Sequence, residues 1–230
     1  MLYAELDREL NDEQEAAFEQ QVARREKREP LAYVLGEWGF RRLTLKTDRR
    51  ALIPRPETEV VVERALEHIR GLAEPEVLDV GTGTGAIALA IADERPDARV
   101  TAVDSSTQAL RLAAENLELT GLPVLLRQGS LETAMEGWDL VVSNPPYVSP
   151  AEYEQLQPEI TAWEPREALV GEGLHERIAE LAQTAWLVLE VGDGQAKRVA
   201  AALEGFGYRS VRISRDLADK ERVVEGWRGE

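Results

Sequence analysis

A chain of 230 residues, 43% of them hydrophobic, can bury a substantial core as one domain of ordinary size plus an appendage. The absence of cysteine excludes disulfides and thiolate metal sites, and two histidines far apart in sequence, His68 and His175, make a histidine-based metal centre unexpected. A formal net charge of −16 opposes a phosphate backbone, and no apolar run reaches membrane-spanning length.

The polar, acidic start MLYAELDREL is unlike a signal peptide, so a cytoplasmic protein is expected, with no membrane partner and no direct nucleic-acid binding. Residues 3–28 carry Leu6, Leu10, Phe18 and Val22 at spacings that predict one or two amphipathic helices, with Asn11 or Asp12 as a cap inside the stretch. LAYVLGEWGFRRLTLKT (31–47) alternates apolar residues around two glycines and predicts short strands or a hairpin. Residues 53–69 open on prolines, cap near Thr58 and continue as a helix.

From residue 76 the pattern becomes regular. Strands are predicted at 76–81, 99–106, 124–130, 138–144, 186–192, 209–214 and 221–227, with helices at 84–94, 107–121, 173–185 and 194–207. Strands alternating with helices of this length give a mostly parallel, seven-stranded α/β sheet with helices on both faces. The last two strands follow one another without a helix, which predicts an antiparallel partner at that edge.

The first strand of the regular series runs into LDVGTGTGAIALA. Gly81, Gly83 and Gly85, with Thr82 and Thr84 between them, let the backbone turn sharply and lie close to a ligand. Such a loop serves a dinucleotide, an adenosyl cofactor or only a tight turn. Its Gly-x-Gly-x-Gly spacing departs from the dinucleotide fingerprint. Asp79 before the loop would oppose a phosphate and suits a cationic ligand, such as a sulfonium with an α-ammonium group. Asp104 ends the second strand, where a carboxylate can accept both ribose hydroxyls or cap the helix that follows.

The fourth strand of the series delivers SNPPYV to the same edge. Pro145 and Pro146 hold the chain extended and remove two amide donors, so the segment displays acceptors: the Asn144 side-chain oxygen and the Pro145 carbonyl. Two acceptors can hold both hydrogens of a planar –NH₂ group, and Tyr147 offers a face for stacking. An amide nitrogen is a poor nucleophile. Orienting it while favouring charge build-up on it is the catalysis it needs.

With RREKREPLAYVLGEWGF, LIPRPETE, VLDVGTGTGAIALA, VDSSTQAL, SNPPYV, EPREAL, LEVGDGQ and RDLADKERVV in this order, the chain resembles the release-factor glutamine methyltransferases, the PrmC/HemK-like group of class I S-adenosylmethionine-dependent enzymes. The resemblance runs from about residue 24 to the C-terminus. It implies a Rossmann-like fold, S-adenosyl-L-methionine as cofactor and S-adenosyl-L-homocysteine as product. The implied reaction is methylation of N5 of the glutamine in the Gly-Gly-Gln loop of class 1 peptide chain release factors. By position, residues 81–85, Asp79, Asp104, Ser130, Leu131 and Asn144 would hold the cofactor. Asn144, Pro145, Pro146 and Tyr147 would receive the glutamine amide, with Arg55 and Glu57 bordering the channel.

RPETE (55–59) separates the resemblance from adenine-N6 nucleic-acid methyltransferases and from ribosomal-protein glutamine methyltransferases; a catalytically silent cofactor-binding scaffold is the non-enzyme alternative. Ser130 stands where the family usually has an acidic residue near the adenine, and the N-terminal helical part is shorter than is usual. The expected organisation is a helical and hairpin substrate module at 1–50, a connecting segment and helix at 51–70, and the methyltransferase domain at 71–230. Trp163 is expected in packing or substrate contact, Trp138 in the core, and both histidines in surface or structural roles. The basic stretches 24–28 and 41–50 read as solvated faces or as a surface for an acidic or RNA-bound partner.

Overall fold

The structure, a computed structural model, describes residues 10–229. Helix α1 (Asp12–Glu26) starts at a capping box in which the Asn11 side chain accepts from the Gln14 amide and Gln14 returns the bond. The apolar face expected along it is not buried: Phe18 is 57% exposed and no described residue of α1 is buried. Leu6 lies outside the described residues.

The next stretch corrects an expectation, because residues 31–35 form a short helix, α2 (Leu31–Leu35), rather than a strand. The Pro30 carbonyl accepts from the Tyr33 and Val34 amides, and Gly36 ends the helix at φ 78°. Arg24 then donates to the Tyr33 and Val34 carbonyls at 2.8 and 2.9 Å. Caps at both ends thus outweigh the apolar alternation. The predicted hairpin follows as β1 (Glu37–Phe40) and β2 (Leu43–Lys46).

A 3₁₀ turn (Pro56–Thr58) leads into α3 (Glu59–Ile69). Beyond it lie β3 (Glu76–Val80), α4 (Ala86–Glu94), β4 (Arg99–Asp104), α5 (Thr107–Thr120), β5 (Val124–Gln128) and β6 (Trp138–Ser143). Two short helices, α6 (Pro150–Tyr153) and α7 (Pro158–Thr161), precede α8 (Leu174–Leu181), β7 (Thr184–Glu190), α9 (Ala196–Gly205), β8 (Arg209–Arg215) and β9 (Glu221–Trp227). Residues 182–185 leave the predicted helix early, because the Gln183 amide is taken by the Ala134 carbonyl and the strand begins at Thr184.

The seven strands order as β5-β4-β3-β6-β7-β9-β8. The first five are parallel, and β9 slots antiparallel between β7 and β8, so the expected reversal occupies the last two positions. The chain leaves β3 towards β4 and β5, then crosses back to place β6 on the other side of β3. Such a reversal opens a crevice at the carboxyl ends of the strands, where open α/β sheets take their ligands. Successive strand residues serve opposite faces: Leu140 and Val142 join Val62 and Leu89 of α3 and α4, while Val141 and Leu187 join Ile178 and Leu203 of α8 and α9.

Most of the basic side chains singled out in the sequence are engaged within the chain. Arg24 pairs with Glu29, Arg25 and Arg28 with Glu159, Arg41 with Glu94, Arg42 with Asp93, and Arg50 with Asp48 and Glu115. Arg49 covers the Trp163 ring, 4.1 Å from its centroid, and Trp163 itself packs against Ala32, Tyr33 and Ile53. No helix among the described residues is long and apolar enough to cross a membrane, and none of their acidic or histidine side chains cluster as metal ligands do.

Glu225 of β9 is fully buried and receives two 2.7 Å bonds from Arg64 of α3. His68 lies 3.4 Å from it and stacks on Trp186 with ring centroids 3.6 Å apart. Burial alone would raise the Glu225 carboxyl, but His68 and Arg64 outweigh it and hold it at about 2. A depressed carboxyl stabilises the fold above its unfolded value and loses that stabilisation as pH falls through the folded value. Glu225→Gln should therefore cost about 3 kcal/mol at pH 7, and denaturant melts should show the gap to wild type closing between about pH 4.5 and 2.

Candidate active site

The glycine loop is lashed to its neighbouring strand. The Gly81 and Thr82 amides both donate to the Val103 carbonyl, at 2.9 and 3.0 Å, and the Gly83 amide donates to Asp104 Oδ2 at 2.9 Å. Gly83 at φ 57° and Gly85 at φ 86° occupy the left-handed region that side chains disfavour. A Cβ on Gly85 would also press on the Leu89 side chain of α4 at 3.2 Å and meet Ala113 of α5 at 3.5 Å.

Asp104 does not cap α5. That position belongs to Ser106, whose hydroxyl accepts from the Ala109 amide, while Asp104 Oδ1 accepts from the Ser106 amide at 2.9 Å. Each carboxylate oxygen keeps lone-pair capacity beyond one amide, and Asp104 borders the cavity. Asp79 is fully buried beneath the loop, where Oδ2 accepts from the Thr82 hydroxyl at 2.6 Å and Oδ1 has no partner among the described residues. Burial pushes its carboxyl up to about 7. An orphaned buried carboxylate oxygen of this kind is stabilised by a nearby cation and destabilised by a phosphate.

The crevice holds a cavity of about 320 Å³. Gly81, Thr82, Gly83, Thr84, Asp104, Ser130, Leu131, Asn144, Pro146 and Arg55 border it. Asp79, Gly85, Pro145, Tyr147 and Glu57 do not, each for a visible reason. Asp79 supports the loop from below, Gly85 faces Leu89 and Ala113, and Pro145 is buried. The Tyr147 hydroxyl is held by Glu190 Oε1 at 3.2 Å while its carbonyl accepts from Gln195. Glu57 sits in the 3₁₀ turn before α3, where its charge reaches Glu190. Ser130, in the place expected to be acidic, donates its hydroxyl hydrogen to Glu132 two residues on.

At the end of β6, Ser143 Oγ donates to the Val80 carbonyl at 2.7 Å and pins the tip of β6 to that of β3. Asn144 comes next. Its Nδ2 donates to Thr58 Oγ1 at 3.3 Å, and neither Asn144 Oδ1 nor the Pro145 carbonyl accepts a hydrogen bond from the described residues. Thr58 was expected to cap α3, yet it makes no side-chain cap bond; its hydroxyl points to Glu190 Oε2 at 2.6 Å. The IPRP segment that closes this side is tied down by buried Glu164, which accepts from the Ile53 amide and the Arg55 guanidinium.

A donor-free pair of acceptors thus stands beside a glycine loop at the switch point of the sheet. A model of the Methyltransferase small domain matches residues 58–173, and one of the PrmC N-terminal domain matches residues 1–36. The release factor glutamine methyltransferase of Geobacter sulfurreducens is 42% identical over 236 residues, which cover 98% of this chain and 82% of that protein. The chain belongs to the release factor glutamine methyltransferase family.

The family protein of the same name from Fusobacterium nucleatum is 38% identical over 95% of this chain, which spans 66% of that relative's length. Among solved structures, the hMettl16 catalytic domain in complex with an MAT2A 3′UTR hairpin superposes with a TM-score of 0.70. At 13% identity, covering 87% of this chain and 82% of that one, it shares the fold.

In this member of the family, three contributors to the site escaped the reading of motifs. Glu190 sits fully buried at the end of β7, and Thr58 joins it to Asn144. Asn116 of α5, also fully buried, accepts from the Lys46 amide and donates to the Thr84 carbonyl, joining the hairpin to the glycine loop. For Glu190 a signal existed: like Asp104, it is a lone carboxylate closing an apolar strand.

Proposed function

We propose that this chain transfers a methyl group from S-adenosyl-L-methionine to the side-chain amide nitrogen, N5, of the glutamine in the Gly-Gly-Gln motif of class 1 peptide chain release factors. S-adenosyl-L-homocysteine would be the product, and the cytoplasm, where translation ends, the place of action. The observation that carries this reading is Asn144 at the cavity beside the glycine loop, with Asn144 Oδ1 and the adjoining Pro145 carbonyl both accepting no hydrogen bond from the described residues.

The residues present fit the cofactor. The orphaned Asp79 oxygen suits positive charge, Asp104 suits ribose hydroxyls, and the loop from Gly81 to Gly85 lets backbone approach closely. When bound, the cofactor supplies an electrophilic methyl carbon on a sulfonium. Asn144 and Pro145 take the two amide hydrogens of the glutamine, which orients the nitrogen and favours positive charge on it as its lone pair is drawn off. The prolines contribute by having no N–H of their own to compete. Arg55 and Pro146 border the cavity, and buried Glu164 keeps Arg55 in place.

Tyr147, anchored to Glu190, is the wall behind the acceptors in this reading. Residues 1–50 are read as the substrate module, 51–70 as the connection and 71–230 as the transferase domain. Incubation with labelled S-adenosyl-L-methionine and a release factor should label one glutamine. Replacing the glutamine of the Gly-Gly-Gln loop should abolish the label, and label that persists elsewhere on the factor would overturn the assignment.

A further inference from the structure

We infer that Glu190 is a positioning residue for the methyl transfer: acting through Thr58, it sets which way round the Asn144 amide stands and keeps its oxygen turned to the substrate nitrogen. The inference rests on the reading of the site proposed above. Glu190 is fully buried, and Oε2 accepts from Thr58 Oγ1 at 2.6 Å while Oε1 accepts from the Tyr147 hydroxyl at 3.2 Å. A threonine hydroxyl has one hydrogen. Once Thr58 gives it to Glu190, only lone pairs remain for Asn144, so the group facing Thr58 at 3.3 Å must be Nδ2. Oδ1 is then the atom left to accept from a substrate.

Without an acceptor at Glu190, the Thr58 hydrogen would be free to bond Oδ1 instead. The amide could then turn its NH₂ towards the substrate, where it would face another NH₂. The device is therefore directional, running from a carboxylate through a hydroxyl to an amide, and bonds in such a chain polarise one another in the sense that strengthens Oδ1 as an acceptor.

Packing alone does not call for an acid here. A fully buried carboxylate is costly unless it is paired. Arg222 of β9, the cation whose charge reaches Glu190, gives its guanidinium to Asp216 and to the Val191 carbonyl. The groups that face Glu190 come from four directions: Thr58 and Glu57 from the turn before α3, Tyr147 from the loop after β6, Arg222 from β9, and His175 of α8. His175 Nε2 meets the Glu190 carbonyl at 2.7 Å, and burial lowers the pKa of its ring, favouring the neutral form. Burial, opposed by the bonds from Thr58 and Tyr147, pushes the Glu190 carboxyl up to about 7. A protonated Glu190 can donate to Thr58 and reverse the chain, so turnover should rise with pH through neutrality.

Two sets of measurements test this. In the first, release-factor methylation is followed with Thr58→Val, Thr58→Ser and Glu190→Gln, with thermal melts and cofactor titration as controls on folding. Thr58→Val should lower kcat by about 100-fold with KM for the methyl donor within about threefold, and Thr58→Ser should recover most of that loss. Glu190→Gln, with one acceptor oxygen retained but no charge, should lower kcat about 10-fold and flatten the rise with pH. A folded Thr58→Val with wild-type kcat overturns the inference, as does Thr58→Ser equally damaged or Glu190→Gln with an unchanged pH profile.

The second set needs no substrate. The side-chain amide signals of Asn144, assigned in ¹⁵N-labelled protein by their loss in Asn144→Ala, should shift in Thr58→Val, stay in Thr58→Ser and titrate with a midpoint near 7 that Glu190→Gln removes. Signals indifferent to Thr58→Val and to pH overturn the inference even if the wild-type protein methylates no release factor, which is the failure that would instead remove the proposed function.

Discussion

Asn144→Ala lowers turnover by about 100- to 1000-fold while cofactor affinity changes little. Removing one preorganised polar partner from a reacting group costs roughly this much in other enzymes that stabilise charge by hydrogen bonds. Here the lost partner is one of two acceptors, and the loss also removes orientation, because a single remaining carbonyl lets the glutamine amide swing. The cofactor loop is held by other means. The Gly81 and Thr82 amides bond Val103, the Gly83 amide bonds Asp104, and none of these ties passes through Asn144.

Asn144→Asp gives no rescue. One of its oxygens would face Thr58 Oγ1, which already donates its only hydrogen to Glu190, and the second charge would lie close to a buried carboxylate. The check is single-turnover methylation together with cofactor titration. A fall in turnover matched by an equal fall in cofactor binding would show that Asn144 serves the cofactor, not the substrate.

Asp104→Ala shows the opposite pattern. It weakens binding of S-adenosyl-L-methionine by about 100-fold and leaves most of the turnover at saturating cofactor. The Gly83 amide and the Ser106 amide lose their acceptor, and in the proposed reading the ribose loses its partner as well. Hydrogen bonds to a charged group contribute about 1.5–3 kcal/mol each, so even one such loss on binding reaches the stated size. Asp104→Asn keeps one oxygen and should fall between wild type and alanine. Calorimetric titration decides it; unchanged affinity in Asp104→Ala would leave the ribose to other residues.

The contrast between these two residues shows what a motif can and cannot convey. Asp104 stands out in the sequence because a carboxylate closing the second strand of such a sheet suits either a ribose or a helix cap. Ser106, one turn ahead of Ala109, already performs the capping task. Asn144 is identifiable because two prolines after it leave acceptors and nothing else. Thr58 stands at the N-cap position of α3 as the spacing predicts, but local spacing carries no record of Glu190, 132 residues away, which takes its hydroxyl hydrogen. The N-terminal stretch misled for a related reason. LAYVL alternates like a strand, but Pro30, Gly36 and the reach of Arg24 from α1 close it into a helical turn.

From residue 76 on, the alternation of the main strands and helices is legible in the sequence, as are the glycine loop, the two prolines without amide donors after Asn144, and the family. These depend on periodicity and on residues a few positions apart, where backbone stereochemistry acts directly. It took the packed fold to place β9 between β7 and β8, Asp79 under the loop with Asp104 at the cavity, and the Tyr147 hydroxyl on a buried glutamate. Those choices depend on which strand ends meet at the reversal of the sheet. There, groups far apart in the chain compete for the same few hydrogens inside a space closed to water.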